Sequence, residues 1–373
     1  MSDLENGVPF LDLAQEFSSL QDEWISSIRA AGASGQFILG PNVTAFEAEF
    51  AAYVGSVHAV SVANGTEALA LTLRASGIGA GDEVVTTPYT FIATAEVISQ
   101  VGATPVFVDI EPGSFNLDAQ KIEERITEKT RGIIPVHLFG YPAAMEEINS
   151  ISKDRGLTII EDCAQACGAQ RAGSRVGSLG YAGCFSFYPT KVLGCYGDGG
   201  IVTTDDAGLV NGILKLRNHG ASGSFIHDTI GYNSRLDEIQ AALLRIKLRK
   251  IENDIEARAR VAALYNERLT KLDIVVPSIP NSGRHVFNLY TIRVPRRDAV
   301  QDRLQQQNIG CSVCYPLPLH LQSVYADLGY SAGDLPVAEQ AARECLSLPI
   351  FPDMQPDQVA RVCDVIEQAL CES

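Results

Sequence analysis

Ser186-Phe187-Tyr188-Pro189-Thr190-Lys191, continued by Val192-Leu193-Gly194 and the cluster Gly197-Asp198-Gly199-Gly200, is the stretch on which the reading of this chain turns. Cys184 to Tyr188 is a short apolar run that stops at Pro189, the pattern of a buried strand. Lys191 then stands on a turn just past the strand end, with small residues after it. A lysine so placed reaches into a cleft with its ammonium group partly desolvated. Desolvation lowers its pKa and favours the neutral amine, the form that attacks a carbonyl. Taken alone, the same stretch also describes a solvated surface lysine. Its neighbours in the fold decide between the two.

Working outward, a strand–helix alternation sets in at His58. The spacing predicts strands at Ala59 to Ala63, Glu83 to Thr87, Pro105 to Asp109, Gly132 to His137, Leu157 to Glu161, Gly183 to Tyr188 and Gly200 to Thr204. Helices are expected from Gly65 to Ala75 and from about Thr94 to Val101. Ahead of them lie an extended piece, Pro9 to Leu13, a helix through Phe17, Leu20, Trp24 and Ile28, and a second helix opened by Gly40-Pro41 with Asn42 as its cap. This alternation predicts an α/β fold, a mostly parallel sheet flanked by helices. After about Asp237 the pattern weakens. A long helix, with allowance for one break, runs to about Lys271. It leads to strands at Tyr290 to Val294 and Cys311 to Tyr315, a helix at Ala299 to Gln307 and a last helix at Gln358 to Leu370. The expected division is a large α/β domain with its N-terminal segment, residues 1–250, and a smaller α+β domain, residues 251–373.

Composition narrows the function. The chain has 373 residues, 46% hydrophobic and 20% charged, enough for a large core. Its formal net charge of −16 argues against general binding of nucleic acid or anionic membranes. No apolar run approaches a membrane span and the acidic start lacks a signal-peptide core. Nine cysteines, an odd number, fit reduced thiols and a cytoplasmic location better than a disulfide framework.

In an open parallel sheet, chemistry gathers at the carboxyl ends of the strands. Those ends carry Asn64-Gly65-Thr66, Pro88-Tyr89-Thr90-Phe91, Asp109, His137, Asp162-Cys163-Ala164-Gln165 and Ser186 to Lys191. Each has an ordinary reading as a helix start, a core aromatic or a cap. Together they supply the parts that hold pyridoxal phosphate. The helix opened by Gly65-Thr66 offers free N–H groups to a phosphate, and glycine lets it approach. The Thr66 and Ser186 hydroxyls add to these, and Phe91 can stack on the pyridine ring. Asp162 beside the ring nitrogen keeps that nitrogen protonated, so the ring acts as an electron sink. Gln165 is within reach of the ring hydroxyl if a helix starts there. Lys191 supplies the Schiff-base amine and then carries the proton between cofactor and substrate.

These stretches resemble the nucleotide-sugar aminotransferases of the DegT/DnrJ type, a branch of the fold-type I pyridoxal phosphate enzymes. The resemblance runs from Pro9-Phe10-Leu11-Asp12-Leu13 to near the C-terminus. It takes in Asn64-Gly65-Thr66-Glu67-Ala68-Leu69, Thr90-Phe91-Ile92-Ala93-Thr94-Ala95, Glu161-Asp162-Cys163-Ala164-Gln165, Arg217-Asn218-His219-Gly220 and Gly231-Tyr232-Asn233-Ser234-Arg235-Leu236. It implies the Schiff-base role for Lys191, the ring-nitrogen role for Asp162, the ring-hydroxyl role for Gln165 and phosphate contacts from Gly65, Thr66 and Ser186. It also implies ring stacking by Phe91. Asn233 is implied to reach the phosphate of a neighbouring subunit, which makes the active unit a homodimer with shared sites. L-Glutamate would give the amino group and a keto sugar carried on a nucleotide diphosphate would receive it. His219, and the Tyr315-Pro316-Leu317-Pro318-Leu319-His320 segment with Tyr315 and His320, are implied on the substrate side. The alanine usual after the aspartate is Cys163 here.

Other features read more plainly. Cys311-Ser312-Val313-Cys314 has half the spacing of a zinc site and no second pair, so no metal is expected. The charged run from Arg245 to Arg260 reads as a solvated helix face. Sugar dehydratases related to the family have histidine at the lysine position, and Lys191 argues against that chemistry. A C4 sugar or cyclitol aminotransferase and a non-catalytic regulatory protein of the same fold are the rival readings. Ser234-Arg235-Leu236 after Asn233 resembles members acting at the sugar C3, with the small Ser234 expected at the pocket wall.

Overall fold

The structure is a computed structural model that describes residues 7–371. Helices α1 (Leu13–Ser34) and α2 (Pro41–Val54) come first. Strand and helix then alternate through β1 (His58–Val62), α3 (Gly65–Ala75), β2 (Glu83–Thr86), α4 (Ala93–Gln100), β3 (Thr104–Phe107), β4 (Thr130–Ile134), α5 (Met145–Arg155) and β5 (Thr158–Asp162). Two-residue strands β6 (Gln170–Arg171) and β7 (Ser174–Arg175) lead to β8 (Ala182–Ser186), β9 (Gly200–Thr204) and α6 (Ala207–Leu216). A small hairpin, β10 (Ala221–Gly223) and β11 (Ile226–His227), precedes α7 (Glu238–Leu248) and α8 (Ile251–Leu269). The remainder is β12 (Gly283–Arg284), β13 (Tyr290–Arg293), α9 (Arg297–Gln306), α10 (Pro336–Glu344), β14 (Cys345–Leu348) and α11 (Pro356–Cys371).

The main sheet has the order β1-β9-β8-β5-β4-β2-β3. All its pairings are parallel except those of β9, which runs against both β1 and β8. Side chains alternate between the two faces of a strand, and the cores follow that alternation. Val84, Ile134, Ile160, Cys184 and Val202 pack with α3 and α6 on one face. Their neighbours Val85, Ile133 and Ile159 pack with α5, and Phe185 and Ile201 with α2 and α7, on the other. Burial on both faces is why these strands read as continuous apolar runs.

Two local expectations are corrected. The cap of α2 is Gly40, with Pro41 in the first helical position, and not Asn42. The free amides of that helix end are met by the buried carboxylate of Glu238 on α7, which accepts from the Asn42 and Val43 N–H groups at 2.6 and 3.1 Å. Cys311 to Tyr315 is not a strand. It touches β14 through one residue pair, Ser312 with Ser347, and Pro316 and Pro318 beyond it cannot donate to a ladder. The long helix after Asp237 has the break allowed for it, at Arg249-Lys250 between α7 and α8. Helices α5, α6 and α10 and strand β14 add to the predicted elements.

We read the smaller unit as beginning at that break. Its core joins Val261, Tyr265, Tyr290, Leu304, Leu348, Val362 and Ile366 from α8 onward. The N-terminal segment is tied to it, since Val8 N–H donates to Asn308 C=O and Gly310 N–H to Val8 C=O.

Candidate active site

A cleft of about 760 Å³ opens at the carboxyl ends of the parallel strands. It is lined by Gly65, Thr66, Phe91, Asp162, Gln165, Ser186, Lys191 and Tyr315, with Thr94, Tyr188 and Asp198 beside them. The sheet brings all of them but Tyr315 together, because each follows the end of a strand or lies at the start of the next helix, and Tyr315 is added by the loop after α9.

Asn64 caps α3, its side chain accepting from Glu67 N–H at 2.9 Å, and the first intrahelical bond runs from Ala68 N–H to Asn64 C=O. The amides of Gly65 and Thr66 therefore face out of the helix end, where the dipole favours an anion. A side chain at position 65 does not fit. Its Cβ would lie 2.6 Å from the Ser186 Cβ, so glycine is required to bring the helix end against β8.

Asp162 is buried at the end of β5. Thr94 Oγ1 donates to its Oδ2 at 2.8 Å, and Ala164 N–H to its Oδ1 at 3.1 Å. Burial pushes its carboxyl above the ordinary value, opposed by those two bonds and by the nearby Lys191. Burial pushes the Lys191 amine down, opposed by the Asp162 charge. Each group is thus held by the other in a poorly solvated place, and a cation brought to Asp162 would favour its charged form. Gln165 is fixed in orientation. Its Oε1 accepts from Phe139 N–H at 2.7 Å and its Nε2 donates to the Tyr315 hydroxyl at 2.8 Å. Tyr315 in turn stacks on Phe139.

The other expected residues lie elsewhere. Asn233 is exposed and, with Asn218, forms a bridge outside this chain's cleft. His219 is exposed beside it, its N–H donating to Tyr232 C=O. His320 does not line the cleft. Its ring is buried, packs edge-on to Tyr330 and lies 3.3 Å from Glu339 on α10. Ser234 is not a pocket wall in this chain, because it is fully buried and its hydroxyl accepts from Ala63 N–H at 3.2 Å. Asp109 caps α10, accepting from Val337 and Ala338 N–H. Sequence reasoning overlooked Thr94 as the partner of Asp162; it lies in the first turn of α4, where its hydroxyl also meets that of Thr90 at 3.1 Å.

A phosphate-ready helix start, a buried carboxylate and a half-buried lysine at the strand ends of such a sheet are the parts of an α/β aminotransferase. Residues 18–367 match the DegT/DnrJ/EryC1/StrS aminotransferase family, and the chain belongs to it. It is 47% identical over 364 residues to a pleiotropic regulatory protein of Geobacillus stearothermophilus, covering 97% of this chain and 98% of that one. It is 46% identical over 363 residues to a UDP-N-acetyl-3-dehydro-alpha-D-glucosamine 3-aminotransferase of Acidithiobacillus ferrooxidans, with 97% and 98% covered. The crystal structure of S. venezuelae DesV in complex with a ketimine intermediate superposes with a TM-score of 0.95 at 43% identity, covering 97% of this chain and 98% of that one.

Proposed function

We propose that the protein moves an amino group from L-glutamate to a keto sugar of a nucleotide diphosphate, at the sugar C3, using pyridoxal 5'-phosphate. The observation that carries the reading is the meeting of Asp162 and Lys191 in one cleft with the free α3 terminus. The residues fit the cofactor chemically. Gly65 and Thr66 amides with the Thr66 and Ser186 hydroxyls offer donors to a phosphate, Phe91 offers an aromatic face, and Asp162 offers a carboxylate to a ring N–H. Bound there, the cofactor supplies an electron sink for the carbon that gains or loses the amine. Thr94 and the Ala164 amide aim the carboxylate, Lys191 holds and returns the proton at its Nζ, and Gln165 presents its remaining Nε2–H beside the Tyr315 hydroxyl. His320 and Ser234 are omitted from the substrate contacts, so the choice of C3 rests on the resemblance around Asn233 and on the Acidithiobacillus relative.

The test is a panel of nucleotide diphosphate sugars with a 3-keto or a 4-keto group, incubated with glutamate and read by NMR of the product. Nitrogen on C3 is expected. Nitrogen on C4 with the 3-keto sugar untouched would reverse the position while leaving the transaminase. The name of the Geobacillus relative favours a second, regulatory reading. A protein that takes up pyridoxal phosphate without any absorbance change on adding glutamate would support that one.

The active unit is read as a homodimer with shared sites, in the cytoplasm. Among the described residues no helix is long and apolar enough to cross a membrane. Apolar side chains stand open around the cleft, with Phe91 62% exposed, on the β10–β11 hairpin, where Phe225 is 99% exposed, and between that hairpin and Asn233, where Ile230 is 84% exposed. A second copy would cover them. If Asn233 then serves the neighbour's phosphate, Asn233→Ala should weaken cofactor retention roughly ten- to hundred-fold, the range for a hydrogen bond to a charged group. Mixed dimers of Asn233→Ala with Lys191→Ala should keep about half of wild-type activity, because one site then holds both lesions and the other neither. Activity no higher than half that of Asn233→Ala alone would place each site within one chain.

A further inference from the structure

Behind Asp162 lies a second buried cluster. The ligand-type atoms of His137, Glu161 and Cys163 lie within 4.8 Å of one another, all three residues buried. The arrangement suggests a metal site, yet its oxygens and nitrogens are already committed. Glu161 Oε1 accepts from Leu179 and Gly180 N–H at 2.8 and 2.7 Å. Its Oε2 accepts from Gly177 N–H at 2.9 Å and lies 2.9 Å from His137 Nε2. His137 Nδ1 accepts from Ala143 N–H at 2.9 Å. That bond fixes the tautomer, so the Nε2 proton points at Glu161.

Consecutive residues of a strand face opposite ways, so Glu161 anchors the far side of the strand end whose near side is Asp162. The backbone repeats the tie. Asp162 N–H donates to Pro135 C=O at 2.9 Å and His137 N–H to Asp162 C=O at 3.0 Å. His137 thus holds residue 162 by its amide and residue 161 by its ring. The loop from Gly177 to Gly180 closes the cluster, and only glycine permits its approach, since a Cβ at Gly177 would lie 2.3 Å from Phe185 Cζ.

We propose that Glu161 and His137 are a positioning pair that sets the direction of the Asp162 carboxylate toward the cofactor ring. The proposal rests on the pyridoxal phosphate reading of the cleft. A carboxylate is needed at 161 because four donors converge on it. A glutamine there would turn its NH2 group against the His137 and Gly177 donors, and a change of His137 tautomer would set a second proton against Ala143 N–H. At least one buried hydrogen bond is lost in either case. The strand end then relaxes, and with it the angle at which Asp162 meets its partner.

The experiment compares wild-type holoenzyme with Glu161→Gln and with Glu252→Gln. Glu252 pairs with Tyr53, Arg175 and Arg284, supporting the β6–β7 region without contacting Asp162. Cofactor retention is read by equilibrium dialysis against pyridoxal phosphate, and the visible band is titrated with pH. For Glu161→Gln, about ten-fold weaker retention and a shift of about half a pH unit in the titration midpoint are expected, from the loss of at least one buried bond. For Glu252→Gln, the melting temperature should fall with both cofactor readouts unchanged. His137→Asn, which keeps an acceptor for Ala143 N–H and removes the donor to Glu161, should move both readouts the same way and serves if Glu161→Gln does not fold. Retention within about two-fold of wild type and an unmoved midpoint, whatever the melting temperature does, would overturn the proposal. Wild type that takes up no pyridoxal phosphate would overturn the reading of the cleft, and the proposal with it.

Discussion

Lys191→Ala is expected to lose steady-state transamination by at least about three orders of magnitude, since the residue both attacks as an amine and moves the proton, and proton transfer alone contributes roughly 10²–10⁴-fold. Uptake of pyridoxal phosphate should survive. The Gly65 and Thr66 amides, the Phe91 face and the Asp162 carboxylate belong to other strand ends, the Ser186 hydroxyl sits on β8 itself, and none of them is held by the lysine side chain. The Lys191 charge acts on Asp162 from close by, and truncating the lysine leaves the Thr94 and Ala164 bonds in place. Turnover with glutamate and a keto sugar, measured together with cofactor bound after dialysis, checks both halves. Appreciable turnover in the alanine variant would remove Lys191 from its role. Loss of cofactor along with activity would show that the lysine is needed for binding as well.

Asp162→Asn is expected to be the second most damaging change. The amide has the shape of the carboxylate, its oxygen can still accept from Ala164 N–H, and the Thr94 hydroxyl can rotate to accept from the new NH2 group. What disappears is the charge. If that charge holds a ring nitrogen protonated by ~3 pKa units, it is worth about 4 kcal/mol, or roughly a thousand-fold in rate. The loss should fall on kcat with KM little changed if residue 162 meets the cofactor ring and not the substrate. A cofactor methylated at the ring nitrogen carries a permanent charge and should restore part of the rate to the variant. An asparagine enzyme within about ten-fold of wild type would mean that the ring nitrogen is not charged by this residue.

The sheet and most of the cleft were legible in the sequence because strands buried on both faces leave unbroken apolar runs, and because chemistry at their ends falls at fixed places in those runs. Ile133-Ile134, Val84-Val85 and Ile159-Ile160 announce themselves in this way. Cys311 to Tyr315 has a similar apolar look, and only Pro316 and Pro318 argue that its pairing stops after one residue. Side-chain direction was harder. His320 stands in a segment expected over the substrate, but Glu339, 19 residues further on, draws its ring into the interior. Ser234 was expected at a wall and turns instead to Ala63, 171 residues away in sequence. The Thr94–Asp162 bond spans 68 residues. Such contacts depend on which elements the fold packs together, and no local pattern encodes them.

The reversed direction of β9 has a consequence for how the reacting amine is carried. A parallel strand would hand the chain on to a helix, leaving the loop after β8 free at its far end. Here the chain turns straight back into the neighbouring strand. Phe187 N–H bonds to Gly199 C=O and Cys195 N–H bonds to Phe187 C=O, both at 2.8 Å. Lys191 is therefore carried on a short arch with both feet set in the same sheet. An arch of this kind has little slack, and freeing it means parting β8 from β9 inside the largest sheet of the molecule. The backbone under the amine is thereby anchored at both feet, and any freedom left to the Nζ is that of the lysine side chain.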